Sequence, residues 1–359
     1  MLINDLYKKL ILSFFIVGVF HNANAGLYDT KCEVINVSRY QNLTLSGDIR
    51  NKKIRVEKYG TLDLNNYAMS ITKSCQGIGG RSDKDPAVEL NGDYATVKNG
   101  KILGEEIDGR VISGYRSGVH VFGNSFKMDG NEAGYQGKLR NIVNLYQDQS
   151  EHIRNSSEGN GSRIINMKIT ATHAGIYVMP FHRHVVIEGN EIRSGGHGVY
   201  LGFGGRNNVI ENNIFSLYSA NERRGGDNYP KDAIAVDGNR STRIAHNKFT
   251  RAADRMLNTN TYAVNIYHNC GEQGIKRYDQ PYSTTIANNS FDGWIDNAIG
   301  QGTRNYRDRP DCVDSGFHDY SSGTVIQDNY ISNPINWLFI NKNNQSAKVN
   351  GIWTESTVK

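Results

Sequence analysis

The chain has 359 residues, a formal charge of +5, 38 glycines and only 6 prolines. Its length allows a large core that one β-architecture can hold as a single domain. The basic excess is mild and no dense Lys/Arg cluster accompanies it, which argues against a nucleic-acid partner.

Lys8 and Lys9 precede an apolar run from Leu10 to Phe20, and Ala23-Asn24-Ala25 follows as a small-residue cleavage site. That order of features is a signal peptide over residues 1–25, leaving residues 26–359 as the domain. The run is shorter than the roughly 20 apolar residues that span a bilayer. A secreted or periplasmic protein is therefore expected, monomeric and without a membrane attachment after cleavage. Cys32, Cys75, Cys270 and Cys312 make an even count, which suggests two disulfides in an oxidising compartment. Three pairings are open, and Cys32–Cys75 with Cys270–Cys312 needs only local contacts.

The first third carries short alternating stretches: Ile54-Arg55-Val56, Leu62-Asp63-Leu64 and Val97 to Ile102. Each reads as a strand with one buried face. The rhythm breaks near 124–160, where a long insertion is expected; insertions on a rigid scaffold often line a binding site.

From Ile164 on, one phrase recurs. A loose copy spans Ile164 to Ile169. Clear copies are Val186 to Ile192, Val209 to Phe215, Arg243 to Phe249, Thr285 to Phe291 and Val325 to Ile331. Each has a short apolar strand, an asparagine turn and a second apolar strand. The key asparagines are Asn190, Asn213, Asn247, Asn289 and Asn329, at unequal intervals. A fixed unit with variable insertions is how a solenoid reads. Asparagine suits the turn, since it tolerates left-handed backbone and its amide can bond the same amide one coil away. The expected fold is all-β, a single-stranded right-handed parallel β-helix.

A further strand recurs between these phrases. Gly175-Ile176-Tyr177-Val178 matches Gly198-Val199-Tyr200-Leu201, Ala233 to Val236, Ala263 to Ile266 and Ala298 to Gln301. Alternation sends Tyr177, Tyr200, Ala235, Asn265 and Gly300 to the outer face. The residues just before form a second file: Ala174, His197, Asp232, Tyr262 and Asn297. In that register His197 and Asp232 lie on adjacent coils, about 4.8 Å apart. A carboxylate there would favour the charged imidazole and fix its tautomer. Lys231 adjoins Asp232, Asp237 ends the same strand, and His173 precedes Ala174. A second basic group, His182, Arg183 and His184, could face an anionic sugar, as could Arg224.

The stretch from Tyr177 to Asn213 resembles the carbohydrate-binding and sugar-hydrolase β-helix repeats, and most closely the periplasmic mannuronan C5-epimerases. Those carry an aromatic strand, a D-P-H-D motif, an asparagine phrase, an H-G-I strand and a further asparagine phrase. Here the same order reads Tyr177, Met179-Pro180-Phe181-His182, Ile187 to Ile192, His197-Gly198-Val199 and Asn207 to Phe215. Both aspartates of D-P-H-D are replaced. Gly196 to Gly202 and Lys231 to Val236 also resemble polygalacturonase segments, in reversed order and with Lys231 in place of one aspartate.

The resemblance implies a pectate-lyase-like solenoid acting on an acidic polysaccharide as a lyase or C5-epimerase. Both reactions need a base at the C5 proton and a group that neutralises the neighbouring carboxylate. The catalytic candidates are His197, Asp232, Lys231, His182 and Asp237. The substrate-binding candidates are Tyr177, Tyr200, Arg183, His184, Arg224 and His173. The alternatives are a glycoside hydrolase using Asp232 and Asp237, and a non-catalytic polysaccharide-binding or export protein. No cofactor is required; calcium is compatible with such chemistry, but no acidic run argues for it.

Overall fold

A computed structural model describes residues 33–71, 86–107, 110–113, 115, 117–122, 160–179, 182–202, 204–217, 232–251, 262–268, 271–272, 275–276, 282–291, 297–302, 323–331, 338–340, 347–350 and 352–354. Residues 1–25, the four cysteines, Lys231, Arg224 and nearly all of the 124–160 segment lie outside them.

Most of the described strands stack into two long sheets, one of ten strands and one of sixteen, and the rest form two two-stranded sheets. The ten-stranded front sheet runs from Glu33–Val37 to Leu338–Ile340, and every pairing in it is parallel. In its central coils the rear sheet carries one strand on each side of the asparagine turn, as in Val186–Glu188 and Glu191–Ser194. Its last pairing is antiparallel, Ala347–Val349 with Ile352–Thr354. The chain therefore climbs coil by coil, each pass adding a strand to both sheets, and the architecture is a parallel β-helix.

Side-chain alternation explains why this sequence stacks. In the front sheet Ile54, Val88, Val119, Ile176, Val199, Ile234, Val264 and Ile299 occupy one file and are fully buried. In the rear sheet Ile187, Ile210, Ile244, Ile286 and Ile326 do the same. Phe215, Phe249 and Phe291 continue the file begun by Ile192, their rings stacked at 5.1 and 4.8 Å. Every coil thus covers the apolar residues of the next, at about 25 cal/mol per Å² removed from water. Strands expected at Ile54, Leu62 and Val97 fall within Lys52–Glu57, Thr61–Asp63 and Thr96–Leu103.

The asparagine ladder forms as the repeats indicate. Asn190 donates to Asn213 at 2.9 Å, Asn213 to Asn247 at 3.0 Å, Asn247 to Asn289 at 3.0 Å and Asn289 to Asn329 at 3.0 Å, across sequence gaps of 23, 34, 42 and 40. One expectation needs correction. The left-handed residue of each turn is the one before the ladder asparagine: Gly189, Asn212, His246, Asn288 and Asp328. The ladder asparagine instead satisfies backbone groups inside the coil. Asn247 accepts from the Asn213 N–H and donates to the Ile210 carbonyl, so the turn keeps its buried amides paired. The loose copy at Ile164 to Ile169 forms one strand, Arg163–Ala171, in which Met167 takes the asparagine place and its N–H donates to Asn190.

Candidate functional site

The outer face of the front sheet carries the candidate chemistry. Its central file runs His120, Tyr177, Tyr200, Ala235, Asn265 and Gly300 in register. A second file at the strand starts holds Ala174, His197, Asp232, Tyr262 and Asn297, as the repeats imply: Ala174 pairs with His197 and Tyr262 with Asn297, while the Gly198 N–H bonds to Asp232 and the Ala233 N–H to Tyr262.

Strict alternation would turn His197 inward, because Val199, two residues on, is a core residue. Gly198 resolves the conflict. A Cβ there would meet the Ala233 carbonyl at 2.5 Å and the Phe215 ring at 2.8 Å. Both Gly198 and Val199 therefore press toward the core, and His197 is released to the outer face. Gly175 does the same against Ile192 and the Gly198 carbonyl.

The result is a run of rings. His120 lies 5.2 Å from Tyr177, Tyr177 stacks on Tyr200 at 4.8 Å, Tyr200 is 5.6 Å from His197, and His197 is 6.4 Å from His173. Tyr177, Tyr200 and His173 are half-buried, and His197 is 8% exposed. Behind the rings sit two carboxylates. Asp232 Oδ2 is 4.0 Å from His197 Nδ1, an electrostatic contact longer than a hydrogen bond. Asp232 also accepts from the Asn265 amide at 3.0 Å and from the Tyr262 N–H at 3.3 Å. Asp237 accepts from the Tyr200 hydroxyl at 2.7 Å.

Both aspartates are fully buried, which departs from a solvent-facing polar ladder. Ala235 and Asn265, outward in register, are buried as well. Tyr262, one rung from Asp232, has its hydroxyl pKa pushed above the usual phenol range, first by burial and then by the Asp232 charge.

The second basic group falls elsewhere. His182, Arg183 and His184 occupy the turn that follows the strand Ala174–Val178, whereas His197 begins its own strand. His182 is 1% exposed and its Nδ1 lies 2.9 Å from the Met179 carbonyl. It is thus packed into the turn rather than gathered beside His197. Lys231 and Arg224, expected near Asp232, lie outside the described residues. Among the described residues, no group of three or more His, Cys, Asp or Glu is gathered as for a metal.

His120, Tyr267 and His268 were not singled out by sequence. His120 joins the ring file, Tyr267 pairs in register with Asp237 and packs with Ala235 and Tyr200, and His268 is buried next to it. A signal for His120 was present, since Ser117-Gly118-Val119-His120-Val121 repeats Ala174-Gly175-Ile176-Tyr177-Val178.

Residues 152–307 match the family model described as a right handed beta helix region. The fold is a right-handed parallel β-helix. No curated protein matches the chain. Among solved structures, the chain is similar to the enzymatically active domain of bacteriophage CBA120 tailspike protein 2, with 9% identity, TM-score 0.38, and 88% of this chain and 43% of that one covered. A PL6 alginate lyase in complex with a trisaccharide shows 15% identity and TM-score 0.38, over 93% of this chain and 81% of that one. An alginate lyase from Paenibacillus sp. shows 11% identity and TM-score 0.32, over 87% and 94%. The likenesses are distant, and the β-helix spans less than half the length of the tailspike structure.

Proposed function

We propose that the protein acts on an acidic polysaccharide by removing the C5 proton of a uronate ring, as a lyase or a C5-epimerase. The observation that carries this reading is the grouping of His197 and Tyr200 with the buried carboxylates of Asp232 and Asp237. It pairs a base backed by one carboxylate with a phenol bonded to another.

In this reading His197 takes the C5 proton at Nε2. Asp232, 4.0 Å from Nδ1, favours the imidazolium that forms and orients the ring. The electron pair left on C5 is delocalised into the uronate carboxylate, whose charge must be met. His173, half-buried and 6.4 Å from His197, is placed to meet it, with Lys231 adjoining Asp232 in sequence as a second candidate. In a lyase the C4–O4 bond then breaks, a C4=C5 double bond forms, and the leaving oxygen takes a proton from Tyr200. In an epimerase Tyr200 returns a proton to C5 from the opposite face. Tyr177, stacked on Tyr200, gives a sugar ring an apolar surface.

The paired-aspartate hydrolase is the weaker reading. Asp232 precedes the strand Ile234–Asp237, and both carboxylates are fully buried, which leaves neither open to a glycosidic oxygen and its attacking water.

The test is to incubate purified protein with alginate, polygalacturonate and neutral dextran, reading ultraviolet absorbance and proton exchange from heavy water. An acidic polymer should give absorbance or exchange and dextran neither. His197→Ala should lower the rate at least about 100-fold, the scale of a lost general base. Absence of both signals on acidic polymers, or full activity in His197→Ala, rejects the reading and leaves a binding protein.

A further inference from the structure

Asn265 is a fully buried amide on a sheet face where a carboxylate is fully buried as well. In its strand, Tyr262–Tyr267, the residues Ala263, Val264 and Ile266 belong to the hydrophobic core. Two consecutive residues thus turn inward. Tyr262 and Asn265, three apart, share the outer face, where strict alternation would oppose them. The preceding coil repeats the break: Ala233 and Ile234 turn in, and Asp232 and Ala235 stay out. The register partner of Asn265 is Ala235, whose methyl leaves the amide room to reach diagonally to Asp232.

The amide of Asn265 donates to Asp232 Oδ2 at 3.0 Å, and the Tyr262 N–H donates to Oδ1 at 3.3 Å. Oδ2 is also the oxygen 4.0 Å from His197 Nδ1. The strands of His197, Asp237 and Asn265 are successive in the sheet, so the ring and the amide approach Asp232 from opposite coils. Burial alone disfavours a charged carboxylate, and donors to its oxygens favour it. Asn265 has no charge of its own, so it supports the anion without competing for the proton of His197.

We infer that Asn265 is a positioning residue: from the coil beyond, it holds the buried Asp232 carboxylate ionised, with Oδ2 turned to His197. Being out of solvent, Asn265 acts through Asp232 and not on a sugar. The inference rests on the proposed function only for the use made of His197. The titratable groups around the pair are His173 and Tyr200, whose rings neighbour His197, Tyr262 on the next coil, and Asp237, held by the Tyr200 hydroxyl.

The experiment titrates the histidine rings of the full chain, labelled with nitrogen-15, by nuclear magnetic resonance; the His197 signal is assigned by its loss in His197→Ala. Asn265→Leu withdraws a donor from Asp232, so the imidazolium should lose support and the His197 midpoint should fall by at least about 0.5 pH unit. In an Asp232→Asn background the same substitution should move the midpoint no further, since the partner it acts through is already neutral. A merely structural role would shift both backgrounds alike, and that result overturns the inference. So does an unchanged midpoint in a folded Asn265→Leu protein. Should that protein not fold, Asn265→Ala decides by the same criterion. Turnover on polygalacturonate and alginate is read separately. There Asn265→Leu should lower kcat about tenfold with KM nearly unchanged, a fraction of the ~100-fold expected from losing the base itself. A shifted midpoint in a protein whose parent turns over no acidic polymer supports the positioning and rejects the enzyme reading. Turnover by the parent with an unshifted midpoint does the reverse.

Discussion

Tyr262 is buried beside a buried carboxylate, and both circumstances resist loss of its proton. Tyr115, also buried, is shifted the same way by desolvation, opposed by its hydrogen bond to the Lys52 carbonyl. A raised folded-state pKa means that the unfolded chain ionises first. The stability tied to these hydroxyls is complete below the ordinary phenol pKa of about 10 and falls as pH rises past it. Tyr262→Phe should therefore show a shallower loss of melting temperature between pH 9 and about pH 11. An unchanged slope would remove Tyr262 as a source of alkaline sensitivity. At this scale sequence reached the His197–Asp232 neighbourhood, because both residues sit at the same place in a repeated phrase. It did not reach the burial of Asp232 and Asp237, which depends on what packs around the sheet face.

Among the turns, the asparagine ladder is the feature that sets register. Asn247 exchanges amide hydrogen bonds with the coils on both sides and caps the Ile210 carbonyl within the solenoid. Asn247→Ala leaves the Asn213 N–H and amide without their acceptor in a buried setting, at about 1–3 kcal/mol for each unsatisfied group. Asn329 stands near the end of the ladder and is only part buried, so water can replace what is lost there. Urea midpoints should thus fall clearly further for Asn247→Ala than for Asn329→Ala. Equal losses would mean that the ladder's interior holds no more than its end. The repeat identified these asparagines but misplaced the strained residue by one. Composition cannot separate the two turn positions, since Asn212 and Asn288 are asparagines as well.

Over the whole molecule, stability is shared between neighbouring coils, since each repeat touches only the next. Phe249 lies between Phe215 and Phe291, so its removal opens a cavity on two interfaces at once. Phe249→Ala should cost about 3–5 kcal/mol. Amide exchange should rise first in Val209–Glu211, Ile214–Leu217 and Thr285–Ala287, and later in Lys52–Glu57. Uniform acceleration along the chain would show instead that the solenoid opens as one unit.

The β-helix, its coil register and the stacking of the two residue files were legible in the sequence, because stacking identical units demands the same residue type at the same place on each coil. The sites were legible only in part. His182, Arg183 and His184 read as one basic group that could face an anionic sugar, yet the coil divides them. His182 goes into the turn core, and Arg183 joins a file with Arg206 and Arg240. That file gathers residues from three separate turns, and only the closing of successive coils brings them within one rung of each other.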